Sequence, residues 1–197
     1  MATPVTRPEA ATLRRDQRER RQRIIDAAEA LMFDVDYEKI QVKDVADRAE
    51  VALGTLYRYF NSKDHLFACA LQSWSEGFDG RLDPATTGPT VDQIKAVYRL
   101  AARAFERQPR VYDVMMRIQT SIDPLAVEVW GSFVRRQSTA FGRALESSRL
   151  SEAKRRDVIA VMSAVLDENL RSWQLGLQPV GAVATAIDRA AELILGR

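Results

Sequence analysis

The fold is decided between Val42 and Lys63, where the sequence reads Val-Lys-Asp-Val-Ala-Asp-Arg-Ala-Glu-Val-Ala-Leu-Gly-Thr-Leu-Tyr-Arg-Tyr-Phe-Asn-Ser-Lys. Its first half repeats apolar residues at the spacing of one buried helix face, at Val42, Val45, Ala46 and Ala49. Residues 50–52 interrupt this pattern. A second short helix then places Leu56 and Phe60 one turn apart, facing inward. Two short helices joined by a tight turn predict a helix-turn-helix unit.

The outward face of the second helix carries aromatic rings and hydroxyl groups. With Leu56 and Phe60 buried, the residues left outside are Leu53, Thr55, Tyr57 and Tyr59. A helix-turn-helix places its second helix in the major groove of DNA. The stretch therefore predicts DNA binding, even though the whole chain has a net charge of only +2.

These residues also carry a resemblance to a known family. The run Gly54-Thr55-Leu56-Tyr57-Arg58-Tyr59-Phe60, followed by Ser62-Lys63, resembles the signature of the TetR family of one-component transcriptional repressors. The likeness covers roughly residues 20–70. Within that family, the run 45–60 is similar to the KstR-type regulators of sterol and lipid breakdown.

The resemblance implies a set of DNA contacts. The positions that match Tyr57 and Tyr59 touch bases or backbone in the family, and Lys63 with the start of its helix is expected to clamp a phosphate. Thr55 is small enough to let the helix enter the groove. The predicted DNA-binding residues are Lys43, Leu53, Gly54, Thr55, Tyr57, Tyr59 and Lys63.

Two residues depart from the family pattern. Glu50 stands where a turn glycine is common, which predicts either a left-handed residue or a different turn. Ala52 stands where a capping serine is frequent, so the second helix lacks a side-chain cap that contributes about 1 kcal/mol.

The rest of the chain reads as helix, giving an all-α fold of about nine helices. Residues 1–13 are a basic arm that either contacts phosphates or is a solvated, disordered leader. Residues 14–62 are predicted to form the helix-turn-helix domain, with helix 1 from Arg14 to Phe33. Residues 63–197 are predicted to form an effector-binding and dimerisation domain. No run of 18 apolar residues exists, so no transmembrane helix is expected.

Several boundaries follow from local signals. Ser62, Asp123 and Ser151 are predicted helix caps, and Thr90 with Gln93 forms a capping-box pattern. We expect helix 4 to end near Phe78, a loop over 80–89, and helix 7 to end near Ser147. The predicted buried stripe of helix 8 comprises Val158, Val161, Met162, Val165, Asn169 and Trp173.

The family resemblance implies an apolar effector cavity among helices 4–8. The candidate lining residues are Phe105, Met115, Trp130, Phe133, Asn169 and Trp173. Arg117 and Gln119 are possible polar anchors, while Asn169 serves either the cavity or a dimer interface. The subgroup resemblance suggests a steroid or a fatty acyl thioester as effector. A thioester would need a basic rim, for which the candidates are Arg81, Arg99 and Arg103.

The resemblance also implies the partners. A homodimer through helices 8 and 9 would bind a near-palindromic double-stranded operator, and the protein would be cytoplasmic and associated with the nucleoid. No cofactor, metal or membrane partner is expected. Catalysis is disfavoured because the single histidine, His65, is predicted to be exposed without a catalytic partner, and Cys69 is the single cysteine. The alternatives are a helical protein-interaction module or a regulator that activates.

Overall fold

A computed structural model describes residues 10–77 and 89–196. Within these ranges the chain forms nine α-helices, one 3-10 turn over Tyr37–Lys39 and no strand, as the sequence predicted. The helices are α1 Ala10–Asp34, α2 Val42–Arg48, α3 Leu53–Tyr57, α4 Lys63–Glu76, α5 Thr90–Arg107, α6 Pro109–Gln119, α7 Pro124–Arg143, α8 Glu152–Gln174 and α9 Gly181–Leu195.

Three of the predicted caps are present. The Ser62 hydroxyl accepts a hydrogen bond from the backbone N–H of His65 at 3.0 Å. The Asp123 carboxylate accepts two from the first turn of α7, and the Ser151 hydroxyl accepts one in α8. These interactions satisfy amide groups that a helix start otherwise leaves without partners. They explain why α4, α7 and α8 begin where the sequence predicted.

Other predicted boundaries differ. Pro89 occupies the cap position of α5 in an extended conformation, so Thr90 lies inside the first turn and is not the cap. Helix α1 begins at Ala10, four residues before the predicted start, and α7 ends at Arg143 before a series of turns. The predicted end of α4 at Phe78 and most of the loop over 80–89 lie outside the described residues.

Helix α4 connects the predicted helix-turn-helix head, residues 14–62, to the remaining helices. It packs against α1 on one side and against α6 and α7 on the other. Leu56 and Phe60 are fully buried, as predicted, together with Leu66 and Phe67 of α4. The head therefore shares its core with the first turns of α4. The predicted boundary between residues 62 and 63 stays a prediction.

Helix α8 buries a different stripe from the predicted one. Val158 and Met162 are buried, but the stripe continues through Leu166 and Leu170, whereas Val161 is 48% exposed. The sequence of α8 carries apolar residues on two faces, and the buried face follows a strict four-residue spacing. The prediction mixed residues from both faces because their spacings of three and four overlap.

Helix α9 lies against α5 and α8. Its inner face consists of Val183, Ile187 and Ala191, which are fully buried. Two ion pairs, Lys95–Glu192 and Arg99–Asp188, join α5 to α9. Among the helices of the described ranges, none combines the length and apolarity that a membrane crossing requires.

Candidate DNA-reading surface and effector cavity

The turn between α2 and α3 contains a left-handed residue. Glu50 has a φ of 54°, the one positive value at a described residue other than glycine. The N–H groups of Glu50 and Val51 donate to the carbonyls of Asp47 and Ala46, at 3.2 and 3.0 Å. This is the hydrogen-bonding pattern of a Schellman motif, which ends a helix with a left-handed residue. The sequence allowed either a left-handed residue or a different turn at position 50, and the structure has the left-handed residue.

The surface of α3 projects away from the core. Leu53 is 39% exposed and Tyr57 is 48% exposed, and the two lie one turn apart. Gly54 is exposed, and Thr55 is half-buried. Lys43, in the first turn of α2, is also exposed. These placements agree with the predicted register, while the DNA contacts themselves stay a prediction.

Tyr59 and Lys63 are less accessible than the sequence suggested. Tyr59 is half-buried and packs against the core. The Lys63 ammonium donates to the backbone carbonyl of Tyr37 and lies 4.0 Å from the centre of the Tyr37 ring. Burial lowers the pKa of Lys63. Lys63 therefore already has partners within the head, and its predicted contact with a phosphate stays a prediction.

His65 is buried rather than exposed. Its side chain lies behind the Ser62 cap, where its Nδ1 accepts a hydrogen bond from the backbone N–H of Asn61 at 3.3 Å. The imidazole meets the Phe60 ring edge-on, with ring centres 5.5 Å apart. Burial lowers the pKa of His65, and Asp123 opposes that shift. The ring thus supports the segment between α3 and α4.

The carboxylate of Asp64 joins three parts of the chain. It accepts a hydrogen bond from the Tyr37 hydroxyl at 2.6 Å and another from the Ser121 hydroxyl at 2.5 Å. Burial, together with the bond to Asp64, raises the pKa of Tyr37. Ser121 lies in the corner between α6 and α7 and accepts from the N–H of Asp123 at 3.3 Å. We call this the Asp64 bridge: Tyr37 in the head, Asp64 in α4 and Ser121 at the corner.

Two ion pairs lie beside the Asp64 bridge. Arg110 Nε of α6 is 3.1 Å from a carboxylate oxygen of Asp36, and Arg117 is paired with Glu38. Both acids flank Tyr37 in the sequence. Arg117, a predicted polar anchor of the cavity, therefore points to the head instead. Helix α6 is tied to the head by charged groups as well as by the bridge.

A cavity of about 540 Å³ lies between α4, α5, α6, α7 and α8. Four predicted residues line it, namely Phe105, Met115, Trp130 and Phe133. Further apolar lining comes from residues that the sequence did not single out as lining: Trp74, Leu100, Val134, Phe141, Ile159, Leu166 and Leu170. Leu166 and Leu170 could have been found from their four-residue spacing with Met162. Both the volume of this cavity and its mainly apolar lining are typical of a pocket that binds a small molecule.

Asn169 and Trp173 are not among the described residues that line the cavity. The Asn169 amide donates to the carbonyl of Val165 at 2.8 Å, and its oxygen accepts from the Gln178 amide at 3.1 Å. Asn169 is thus used to hold the segment after α8. Trp173 is partly buried and packs against the core. The ligand-binding roles predicted for Asn169 and Trp173 stay predictions.

The cavity has few polar groups and stacked aromatic rings. Trp130 and Phe133 stack with centres 5.0 Å apart and planes 22° from parallel. Its exposed lining residues, Val134 of α7 with Arg156 and Ala160 of α8, place its opening between these two helices. Gln119, a predicted anchor, lines the wall near the end of α6.

The arginines predicted to bind the phosphates of a thioester differ in how accessible they are. Arg99 is paired with Asp188 of α9, which raises the pKa of its guanidinium. Arg103 is exposed. Arg81 lies outside the described residues.

The outer faces of α8 and α9, with the segment that joins them, expose apolar side chains. The exposed residues are Val161, Leu175, Leu177, Val180 and Leu193. Large apolar side chains that are exposed along two neighbouring helices are typical of a surface that another chain covers. This is the region where the sequence predicted a dimer interface.

A helix-turn-helix head that shares α4 with a helical body around an apolar cavity defines a DNA-binding regulator with a ligand-sized chamber. The profile described as "Bacterial regulatory proteins, tetR family" matches residues 24–70. The chain is 34% identical to the HTH-type transcriptional repressor KstR of Rhodococcus jostii strain RHA1, over 95% of this chain and 91% of that protein. The chain belongs to the TetR family.

Solved structures share the fold. A TetR transcriptional regulator from Rhodococcus sp. RHA1 superposes with a TM-score of 0.78 at 26% identity, over 92% of this chain and 97% of that one. The regulator FadR from Bacillus subtilis, solved in complex with stearoyl-CoA, superposes with a TM-score of 0.68 at 17% identity, over 89% and 98%. The predicted family and its KstR-type subgroup are confirmed. Since the relatives are named transcriptional repressors, the chain is a regulator and not an enzyme.

Proposed function

We propose that this chain is a ligand-responsive repressor whose homodimer binds a near-palindromic operator through α3 and leaves it when a small apolar effector fills the cavity. The observation that carries the proposal is the position of the cavity. Trp74 and Ser75 of α4 form part of its wall, and the same helix packs against α1 of the head. A ligand there contacts the element that supports the DNA-reading surface.

The effector class follows from the lining and from the relatives. A cavity of about 540 Å³ with stacked aromatic rings accommodates a rigid apolar ring system or a folded acyl chain. Similarity to KstR and to a regulator bound to stearoyl-CoA supports a steroid or a fatty acyl thioester. Because Arg99 is held by Asp188 and Arg156 by Glu152, the phosphates of a thioester would depend on Arg103, or on Arg156 once it is released from Glu152.

The dimer would use the exposed apolar faces of α8 and α9. A two-fold axis through these helices would double them into a four-helix bundle. It would also present two copies of α3 to successive major grooves, about 34 Å apart. Asn169, held by Gln178 outside the cavity, would lie near this interface.

The Asp64 bridge offers a route for release. Met115 and Gln119 of α6 and Trp130 of α7 line the cavity, and Ser121 lies at the corner between these two helices. A ligand that separates α6 from α7 would move Ser121 and hence the carboxylate that holds Tyr37. Ligand and DNA would then oppose each other reciprocally, with a coupling of about 1–3 kcal/mol.

Fluorescence anisotropy with DNA from the protein's own upstream region tests the proposal. We expect the wild-type dimer to bind specifically and to be released by at least one member of a panel of steroids and fatty acyl thioesters. Ala160→Trp is the matched control, because the new ring would block the opening of the cavity from an exposed position. We expect this variant to bind DNA as the wild type does but not to release it when the effector is added. Specific binding that no panel member relieves would contradict the effector class. Absence of specific binding would contradict the repressor function itself.

A further inference from the structure

We infer that α3 recognises its operator through apolar contact, with Leu53 packed against the C5-methyl group of a thymine in each half-site. The inference rests on the proposed function and specifies what the DNA-reading surface recognises.

The leading edge of α3 lacks polar side-chain atoms. Ala52, Leu53 and Gly54 are consecutive and exposed, and they carry carbon alone beyond the backbone. The first residues of a recognition helix are the ones that meet base edges. In the major groove, the C5-methyl of thymine is the feature that an apolar side chain can distinguish. Hydrogen-bond donors and acceptors on bases have no counterpart among these three side chains.

Leu53 is unusual within the head. Between residues 15 and 77, the exposed large apolar residues are Leu53 and Tyr57, and both lie on α3 four residues apart. A single exposed leucine would carry no information. Two apolar side chains on one face of a five-residue helix, in a head whose other large apolar groups are buried, indicate a surface kept for a partner.

Gly54 supplies an independent observation. A Cβ built at this position meets nothing within 4 Å, and its φ is not positive. Neither packing nor backbone conformation within the protein therefore requires glycine there, although glycine weakens a helix. The space outside Gly54 lets the backbone of α3 approach the groove closely, which brings the Leu53 methyls within reach of a base.

The charges around α3 fit DNA as the occupant. Lys43 in α2 and Arg58 at the end of α3 are exposed and form no ion pair with any described residue. They stand on either side of the apolar edge in the sequence and can pair with phosphates. Phosphate contacts of this kind fix the position of a helix on the duplex, while side chains in the groove select the sequence.

Replacement of thymine by deoxyuridine tests the inference, since it removes the methyl group and keeps the hydrogen-bonding groups. An operator is first selected by the wild-type protein from a randomised duplex library, and each thymine is then replaced in turn. We expect about fourfold weaker binding when the contacted methyl is removed from one half-site, and about 15-fold when it is removed from both. Binding is measured by anisotropy at one fixed salt concentration.

Protein variants identify the partner of the methyl group. Leu53→Ala should bind the thymine operator as weakly as the wild type binds the deoxyuridine operator, and should not respond further to the replacement. Leu53→Gln, which keeps the length of the side chain, should likewise lose the dependence on the methyl. Lys43→Ala should weaken binding to both operators equally, keep the fourfold difference, and reduce the salt slope by about one unit.

The inference is overturned if no thymine replacement changes wild-type binding by more than about twofold. It is also overturned if Leu53→Ala retains the fourfold dependence on the methyl group. Both outcomes presuppose that the wild type selects a sequence. Failure to select any sequence would instead contradict the proposed function.

Discussion

Replacement of Glu50 by glycine should stabilise the protein and strengthen operator binding. Glu50 has a φ of 54° within the Schellman motif that ends α2, and a left-handed conformation costs a residue with a side chain about 1–2 kcal/mol. Glycine avoids that cost but loses about 0.4–1 kcal/mol through the entropy of its unfolded chain. The expected gain in the free energy of unfolding is therefore about 0.5–1 kcal/mol.

The chain contains its own comparison for this position. Helix α8 ends with the same hydrogen-bonding pattern, in which the N–H of Leu177 donates to the carbonyl of Ser172. There the left-handed position is filled by Gly176, with a φ of 71°. Glu50→Gly gives the end of α2 the residue that α8 already has.

Glu50→Gln separates the backbone effect from the charge effect. Gln keeps the left-handed strain and removes the charge, so its unfolding free energy should match the wild type within about 0.5 kcal/mol. Each phosphate at about 8 Å from the carboxylate repels it by about 0.5 kcal/mol in water. Both variants should therefore bind DNA about two- to threefold more tightly, and less so at high salt.

Urea denaturation at fixed protein concentration measures the first effect, and anisotropy at two salt concentrations measures the second. Equal stabilisation by Glu50→Gln and Glu50→Gly would show that the charge, and not the left-handed backbone, destabilises the wild type. A Glu50→Gly variant less stable than the wild type would show that the left-handed conformation of Glu50 costs less than the added chain entropy of glycine.

Three further substitutions test the roles of Gly54, Ser121 and His65. Gly54→Ala should raise the free energy of unfolding, measured by urea denaturation, by about 0.5–1 kcal/mol, because the added methyl meets no protein atom. The same methyl should weaken operator binding, measured by anisotropy, because it would meet the DNA. Unchanged operator binding would contradict this prediction. Ser121→Ala should leave the dimer intact but reduce the effector's influence on DNA affinity, because it removes the hydrogen bond between Asp64 and the corner of α6 and α7. If the effector still released DNA equally well in a ligand titration, the Asp64 bridge would be excluded as the route of coupling. His65 should make stability fall as pH drops below its ordinary pKa of 6.5, because the folded pKa is lowered and the unfolded chain binds the proton first. The loss should level off below the folded pKa, and His65→Leu should remove this dependence in urea midpoints measured from pH 5 to 8.

The local features of the fold could be predicted from the sequence. The helix-turn-helix was readable because its periodicity, its turn and its buried Leu56 and Phe60 all lie within 22 residues of one another. The caps Ser62, Asp123 and Ser151 act on amides two or three residues ahead, so their chemistry is visible in the sequence. Interactions of this range require no knowledge of tertiary structure.

Features that depend on distant partners were missed. Lys63 is engaged by Tyr37, which lies 26 residues away, and the sequence gives no sign of this pairing. Asn169 is held by Gln178 of the following segment, a contact that the sequence does not reveal. In α8, two overlapping apolar spacings made the choice of inner face ambiguous, and packing against α5, α7 and α9 decides it.

We propose that the exposed face of α3 reads DNA while Leu56 and Phe60 anchor the helix to the core. Tyr57→Ala tests it most directly, because Tyr57 is exposed and its removal leaves the core unchanged. We expect the variant to bind the selected operator at least about tenfold more weakly, as measured by anisotropy. The midpoint of its thermal unfolding should be unaltered. Equal affinity of the wild type and the variant for the operator would show that this face of α3 does not read DNA.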